Sequence, residues 1–176
     1  MAKMNFLGMI VTIMFLSAFT ISNSTTWTIA EGHTIKFSSK NPSGIFSKLT
    51  GDIEFDEDNL EASKFDVQID VASINTGNGM KNRHAKGKNW FNAEQYPTIN
   101  FTSHQFQQSS TGYEVTGTLE MHGIKKDMTI PFTFNDNVFE SSFTVKRTDF
   151  NIGSVKGMAK KVPIEIQLDI AVPVTK

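Results

Sequence analysis

The chain has 176 residues, of which 20% are charged, and its formal net charge at pH 7 is −1. That balance argues against a nucleic-acid partner, because proteins that bind nucleic acids normally carry a basic surplus. The chain holds no cysteine, which excludes a thiol nucleophile, a thiolate metal site and a lipidated N-terminal cysteine. Its length is that of about one domain.

The first residues have the layout of a secretory signal peptide. Lys3 is the only charge in the first 30 residues, and an uncharged, mostly apolar run follows over residues 6–19. Small residues at Ser22 and Ser24 suit cleavage after Ser24. A membrane anchor is the alternative, but the run is shorter than the roughly 20 apolar residues that a spanning helix needs. We therefore expect a signal peptide over residues 1–24, a mature domain over residues 25–176, and a periplasmic or secreted location.

The mature chain alternates apolar and polar residues along most of its length, which is typical of strands with one buried and one solvated face. In chain order, the apolar residues that share a parity are Trp27, Ile29, Ile35 and Phe37; Leu49, Ile53 and Phe55; Phe65, Val67, Ile69 and Val71; Ile99 and Phe101; Val115, Leu119 and Met121; Met128, Ile130, Phe132 and Phe134; Phe139, Phe143 and Val145; and Ile164, Ile166, Leu168, Ile170 and Val172. About eight strands without helices between them predict an all-β domain, whose antiparallel sheet either stacks into a sandwich or closes into a barrel.

Residues 76–97, "TGNGMKNRHAKGKNWFNAEQYP", interrupt this pattern because they have no two-residue period. A connection of this length inside a compact β domain usually has a role. We interpret its middle as a short helix over one end of the domain, with Trp90 and Phe91 pointing inward. The alternative is a solvated basic loop whose two aromatic side chains only close the core.

Residues 116–132, "TGTLEMHGIKKDMTIPF", predict a hairpin. Counting by twos from Leu119 places Met121 inward and His122 outward. We interpret "HGIKKD" as the turn and His122 as a residue of the rim rather than a catalytic group. The outward-facing Pro131 has no N–H, which predicts a gap in the ladder or a sheet edge beside it.

Several segments resemble one known family. They are "SINTGNGMKNRHAKGKNWFNAEQYPTINFTS" (residues 73–103), "GTLEMHGIKKDMTIPF" (residues 117–132) and "KRTDFNIG" (residues 146–153), with "EGHTIKF" and "LTGDIEFD" nearer the start. Together they are similar to the YceI-like family of polyisoprenoid-binding periplasmic proteins. The resemblance implies an eight-stranded antiparallel, lipocalin-like β-barrel that holds a long isoprenoid in an apolar tunnel. The chain departs from the family pattern at Lys81, Asn82, Ala85, Asn89 and Trp90, which lie near the expected mouth.

The inward residues are rich in phenylalanine and methionine and include hardly any charge. This composition suits a hydrocarbon ligand and equally describes a packed core. Small inward residues at Gly51, Gly117 and Ser141 favour an open interior, and the resemblance favours it further. The expected apolar lining and lid are Phe55, Phe65, Trp90, Phe91, Phe101, Leu119, Met121, Met128, Ile130, Phe132, Phe134 and Phe143.

Polar side chains offer little for catalysis or metal binding. No two of His33, His84, His104 and His122 lie closer than 18 residues, so no local metal-ligand pair exists, and we expect no metal or other cofactor. The chain has no GxSxG motif, and most of its acidic residues lie in turns or on the outward face. We expect Arg83, His84 and His122 at the rim and no enzymatic activity, with a hydrolytic enzyme as the least favoured alternative.

The expected partner is an isoprenoid or another long amphiphilic lipid. A basic set suits phosphate headgroups, either on a membrane surface in transient contact or on the ligand itself; its members are Lys81, Arg83, Lys86, Lys88, Lys125 and Lys126. The alternative is that these charged side chains are only solvated and contact no headgroup. A stress-associated scaffold barrel without a small-molecule ligand is the second functional hypothesis. Formation of a homodimer is a further hypothesis.

Overall fold

The computed structural model describes residues 24–40, 42–153 and 156–176. The strands are β1 (Thr26–Ile29), β2 (Thr34–Ser38), β3 (Gly44–Phe46), β4 (Leu49–Glu54), β5 (Lys64–Asp70), β6 (Ile74–Asn75), β7 (Thr98–Ser109), β8 (Gly112–Met121), β9 (Ile124–Asn135), β10 (Val138–Lys146) and β11 (Glu165–Thr175). One α-helix, α1, covers Gly79–Lys86, and 3₁₀ helices cover Leu60–Ala62, Val71–Ser73, Arg147–Phe150 and Gly157–Lys161. The predicted signal peptide lies outside the described residues except for Ser24. No helix among the described residues has the length and apolar character needed to cross a bilayer.

The sheet closes on itself as an eight-stranded antiparallel barrel. The ring runs in the order β1, β4, β5, β7, β8, β9, β10, β11, and β11 returns to β1 through the pairs Thr28–Thr175 and Ile29–Val174. The short strands β2, β3 and β6 extend this ring at one end, where β2 pairs with β11, β3 with β2, and β6 with β3. The predicted eight-stranded barrel with one short helix in the long connection is confirmed.

The two-residue alternation determines which side chains enter the barrel. In β8, the residues Val115, Leu119 and Met121 are buried, whereas Thr116 and Thr118 on the opposite face are more exposed. Directly opposed residues of an antiparallel pair share a face, so Val115 places its partner Ile130 of β9 inward as well. The buried residues of all strands form one continuous core.

The aromatic plug fills one end of the barrel. It consists of the rings around Phe55, which is 1% exposed, and its members are Trp27, Phe55, Phe65, Phe106, Tyr113, Phe132, Phe134 and Phe139. The Phe55 ring contacts six of the others at centroid distances of 5.2–6.3 Å, mostly edge to face. Trp27 Nε1 also donates a hydrogen bond to the Phe55 carbonyl oxygen at 3.0 Å. The plug lies at the end where the β7–β8 and β9–β10 turns reverse the chain.

The β8–β9 turn lies at the opposite end and is shorter than predicted. The residues Met121 and Ile124 already pair, so the turn contains only His122 and Gly123, with φ angles of 53° and 74°. Two positive φ angles match the twist of a tight hairpin, which glycine accommodates without strain. The prediction of a six-residue turn "HGIKKD" was therefore wrong, because Ile124–Asn135 is strand.

A seam separates β9 from β10 over most of their length. The two strands pair only where Thr133, Phe134 and Asn135 meet Glu140, Phe139 and Val138. Beyond this section, β9 stays paired only with β8, and β10 stays paired only with β11. Pro131 lies just past the paired section, as its missing N–H predicted, and Ser141 Oγ donates to the Pro131 carbonyl oxygen at 2.6 Å.

Replacing the ring at the centre of the plug tests its structural role. We expect Phe55→Ala to lower the free energy of unfolding by about 3–5 kcal/mol, because it leaves a cavity lined by aromatic rings. Urea denaturation followed by circular dichroism measures this loss. Met80→Ala is the control, since Met80 is 68% exposed and should change stability by less than about 0.5 kcal/mol. A comparably small loss for Phe55→Ala would contradict the packing role given to Phe55.

Candidate functional site

Beyond the aromatic plug the barrel interior is open. The cavity has a volume of about 930 Å³, within the range of small-molecule sites in proteins. Every strand except β1 contributes apolar side chains to its wall, among them Ile35, Phe37, Phe46, Leu49, Ile53, Val67, Ile69, Ile74, Ile99, Val115, Val145, Ile166, Leu168, Ile170 and Val172. Of the two interpretations left open by the sequence, the structure has the open interior.

The cavity wall includes nine of the twelve residues predicted for the lining and lid: Phe65, Trp90, Phe91, Phe101, Leu119, Met121, Ile130, Phe132 and Phe143. The other three lie elsewhere for identifiable reasons. Phe55 is enclosed by the rings of the plug, and Phe134 stacks on Phe139 at 4.3 Å in the same cluster. Met128 is half-buried opposite Gly117, where the Phe101 ring already occupies the space beside the glycine.

The long connection between β6 and β7 forms one half of the lid over the open end. Asn78 begins α1 by accepting a hydrogen bond from the Lys81 backbone N–H at 3.0 Å. Asn82 Oδ1 accepts from the Thr76 backbone N–H at 2.8 Å and from its hydroxyl at 2.7 Å. The residues Trp90 and Phe91 follow the helix and line the cavity, and the Phe91 ring meets Phe46 at 5.7 Å. The predicted helix and inward aromatic pair agree with this arrangement.

Arg147 organises the other half of the lid, the connection between β10 and β11. Its side chain is 5% exposed and donates to five backbone carbonyl oxygens of that connection. The acceptors are Pro163, Ile152, Gly153, Ala159 and Val162, at distances from 2.8 to 3.2 Å. Burial lowers the pKa of the Arg147 guanidinium, while the five carbonyl dipoles offset part of the cost of burying its charge.

Trp90 joins the two halves of the lid. The Arg147 guanidinium lies 5.6 Å from the centroid of its ring, within the range of a cation–π contact. Gly153 packs against the same ring so closely that an added Cβ would come within 2.6 Å of it. The structure therefore couples the position of the inward aromatic pair to the Arg147 loop.

The predicted rim residues have three different environments. His84 lies on the cavity wall. Arg83 is exposed on α1 and does not line the cavity. The His122 Nδ1 lies 3.1 Å from the Phe150 carbonyl oxygen, and its ring packs on Tyr96 at 4.7 Å. His122 thus fastens the β8–β9 turn to the lid.

The predicted basic set is also divided. Among its six members only Lys81 lines the cavity. Lys125 pairs with Glu120 at 3.6 Å, and Lys126 pairs with Asp149 at 3.4 Å. Sequence reasoning missed Arg147, Lys156 and Lys161 of the β10–β11 connection, which do line the cavity. No periodic signal marks these residues, since they lie in a connection rather than a strand.

Within the described ranges, no three histidine, aspartate or glutamate side chains are grouped closely enough to hold a metal ion. The acidic Glu57 has a structural contact at the plugged end, where its carboxylate accepts a hydrogen bond from the Tyr113 hydroxyl at 2.7 Å. This hydrogen bond, followed by burial of the phenol, raises the pKa of Tyr113 to about 12.

The chain is similar to proteins of one known family. A family model described as the YceI-like domain matches residues 19–171. A UPF0312 protein of Yersinia enterocolitica is 30% identical over 139 residues, which cover 73% of this chain and 71% of that protein. A UPF0312 protein of Photorhabdus laumondii is 32% identical over 118 residues, which cover 61% of this chain and 62% of that protein.

Solved structures share the fold. BcnA of Burkholderia cenocepacia superimposes with a TM-score of 0.74 at 30% identity, covering 82% of this chain and 96% of that one. A Saccharophagus degradans domain described as polyisoprenoid binding superimposes with a TM-score of 0.62, covering 85% of this chain and 97% of that one. Its identity to this chain is 16%, so that likeness shows the fold alone.

Arg147→Lys tests the organisation of the lid. We expect it to lower the free energy of unfolding by about 2 kcal/mol, because lysine cannot reproduce the five fixed N–H donors and leaves buried carbonyl groups unpaired. Hydrogen exchange of residues 147–163 should accelerate while the barrel strands stay protected. The matched control is Arg83→Lys on the exposed face of α1, which should leave both measurements unchanged. Equal protection of the loop in both variants would contradict the role given to Arg147.

A pH titration tests the contact at the plugged end. In a Tyr96→Phe background Tyr113 is the only remaining tyrosine, and its absorbance should titrate near pH 12. Glu57→Gln should move that midpoint down towards 10, because it removes the carboxylate. The folded-state pKa lies above the unfolded value, so this contribution to stability is complete below about pH 10 and is lost as the pH rises through about 12. An unchanged midpoint in Glu57→Gln would show that the hydrogen bond is not its cause.

Proposed function

Because the chain belongs to the YceI-like domain family, we propose that its barrel binds a long apolar lipid, an isoprenoid or a chain of similar shape, in the cavity. The observation that carries this proposal is a largely apolar cavity of about 930 Å³ in a barrel whose other end is filled by the aromatic plug. The description of the Saccharophagus degradans relative as a polyisoprenoid binding domain supports it.

Hydrophobic burial alone is sufficient for such a ligand. Covering about 400 Å² of an apolar tail contributes about 10 kcal/mol at roughly 25 cal/mol per Å². Association costs at least about 4 kcal/mol of lost freedom, and often more. The remaining free energy supports binding without a hydrogen bond to the tail, which is consistent with the apolar wall and with the absence of a polar constellation from the strands.

The shape of the cavity favours a container over the alternatives. A scaffold barrel without a ligand would be expected to fill its interior with side chains, whereas this interior is filled only by the aromatic plug. Membership in the YceI-like family supports a binding protein rather than an enzyme. Contact with a membrane surface and homodimer formation stay predictions.

Blocking the cavity tests the proposal. Native mass spectrometry and organic extraction of protein purified from its own host should recover a bound lipid from the wild type. We expect Ile69→Trp to lose that lipid, because Ile69 is half-buried on the cavity wall and a larger side chain would fill the space. The matched control is Gln68→Trp, its neighbour on the exposed face of β5, which should retain the lipid.

The outcomes of this experiment are distinct. Recovery of no lipid from the wild type, or equal loading of both variants, would contradict the proposal. Circular dichroism of the two variants separates a blocked cavity from an unfolded barrel.

The mass of the purified chain also tests export, since cleavage after Ser24 leaves Thr25 as the first residue.

A further inference from the structure

The seam between β9 and β10 is the place where two long strands of the ring share the fewest pairs. These strands have 12 and 9 residues and lie entirely in the described part of the chain, yet three pairs join them. Each shares nine pairs with its other neighbour. Local opening costs least where few backbone hydrogen bonds must break. We therefore expect this seam to open before the other junctions between long strands.

The cavity reaches the outer surface of the barrel at this seam. Glu140 is exposed and follows the inward-facing Phe139, so it lies on the outer face, yet it lines the cavity. A second hollow of about 470 Å³ lies on the outer face beside the seam. Four residues line both the hollow and the cavity, namely Phe132, Glu140, Ser141 and Ile170. Side chains at the seam thus separate the interior from the outside.

Side-chain contacts span the seam where the backbone ladder has ended. Ser141 Oγ donates a hydrogen bond to the Pro131 carbonyl oxygen at 2.6 Å, beside the outer hollow. Near the lid, Lys126 pairs with Asp149 at 3.4 Å, and each of these two side chains is 45% exposed. A single neutral hydrogen bond and an exposed ion pair each stabilise a structure only modestly. The closed state of the seam is therefore held by weak contacts.

Apolar side chains flank the seam on its inner side. Ile130 of β9 is paired with Val115, and Phe143 of β10 is paired with Leu168. Both Ile130 and Phe143 line the cavity. A hydrocarbon chain that passes between β9 and β10 would therefore contact apolar side chains on both sides.

The lid is held more firmly than the seam. Moving the β10–β11 connection would break the five hydrogen bonds that Arg147 donates to backbone carbonyl groups. It would also separate Gly153 from the Trp90 ring. Opening the seam next to the outer hollow requires the loss of one hydrogen bond, between Ser141 and Pro131.

We propose that the β9–β10 seam is a side portal of the cavity, closed by the Ser141–Pro131 hydrogen bond, through which the apolar tail of the ligand enters and leaves. This inference rests on the proposed function, because it assigns a route to a cavity that binds a lipid. The portal controls the rates of loading and release. It leaves the dissociation constant unchanged, because the same path is crossed in both directions.

A disulfide across the seam tests the route, and the chain has no cysteine of its own to interfere. The variant is T129C/T144C, in which both positions are exposed and would face each other if the register of Thr133 and Glu140 continued. A disulfide holds the two Cα atoms within about 7 Å of each other. The probe is cis-parinaric acid, whose fluorescence rises in apolar surroundings.

Stopped-flow fluorescence measures the loading of this probe and its release into phosphatidylcholine vesicles. We expect oxidised T129C/T144C to load and release at least about tenfold more slowly than the reduced form, with an unchanged dissociation constant. The matched control is T116C/T129C, because Thr116 and Thr129 already pair and their hydroxyl oxygens lie 2.9 Å apart. Oxidation of this control should leave both rates unchanged.

Ser141→Ala tests the portal without a disulfide, should T129C/T144C fail to oxidise or to fold. We expect both rates to rise by about two- to tenfold, because the substitution removes one hydrogen bond from the closed seam. The matched control is Thr144→Val. It removes a hydroxyl that donates to Gln167 at 3.0 Å inside the paired β10–β11 section, and its rates should equal those of the wild type.

The remaining outcomes each decide the matter. Equal rates in oxidised and reduced T129C/T144C, or in Ser141→Ala and the wild type, would overturn the portal and leave the proposed lipid-binding function in place. A loss of affinity without slower loading would also overturn it, because the seam would then belong to the binding wall rather than to the route. Failure of the wild type to bind the probe would overturn the inference and the proposed function together.

Discussion

The packing of aromatic rings around Phe55 determines which part of the barrel interior is filled and which part stays open. Six rings contact it, and the resulting plug fills one end of the barrel interior. Since that end is filled, the cavity lies between the plug and the other end of the barrel. The two ends of the barrel interior therefore differ, because one is filled by the plug and the other is open.

The lid covers the open end, and its two halves contact each other. Five carbonyl groups converge on Arg147, and the Arg147 guanidinium in turn lies against Trp90 of the opposite connection. A buried cation that is satisfied only when its loop is folded makes the order of that loop cooperative. The same hydrogen bonds hold the connection that carries Lys156 and Lys161, two residues of the cavity wall.

The residues at which the chain departs from its family's usual pattern belong to this lid. Lys81, Ala85 and Asn89 line the cavity, and Asn82 accepts two hydrogen bonds from Thr76 that hold the start of the connection. Differences at these positions leave the strands untouched. They alter the lid at the open end of the cavity.

The sequence by itself determined the strands and their inward face, because alternation along a strand is a local property and Val115, Leu119 and Met121 must share a side whatever surrounds them. Alternation left a sandwich and a barrel open, since closure depends on the pairing of β1 with β11. The tertiary structure alone decided which inward residues meet a cavity and which meet each other. Phe55 and Phe132 have the same local pattern and both belong to the plug, yet Phe55 is enclosed by other rings whereas Phe132 also lines the cavity, because the closed sheet brings distant rings together around Phe55. The tight turn at His122 and the basic residues of the cavity wall were likewise not predicted, since Lys156 and Lys161 lie outside the alternating strands and reach the wall only in the folded barrel.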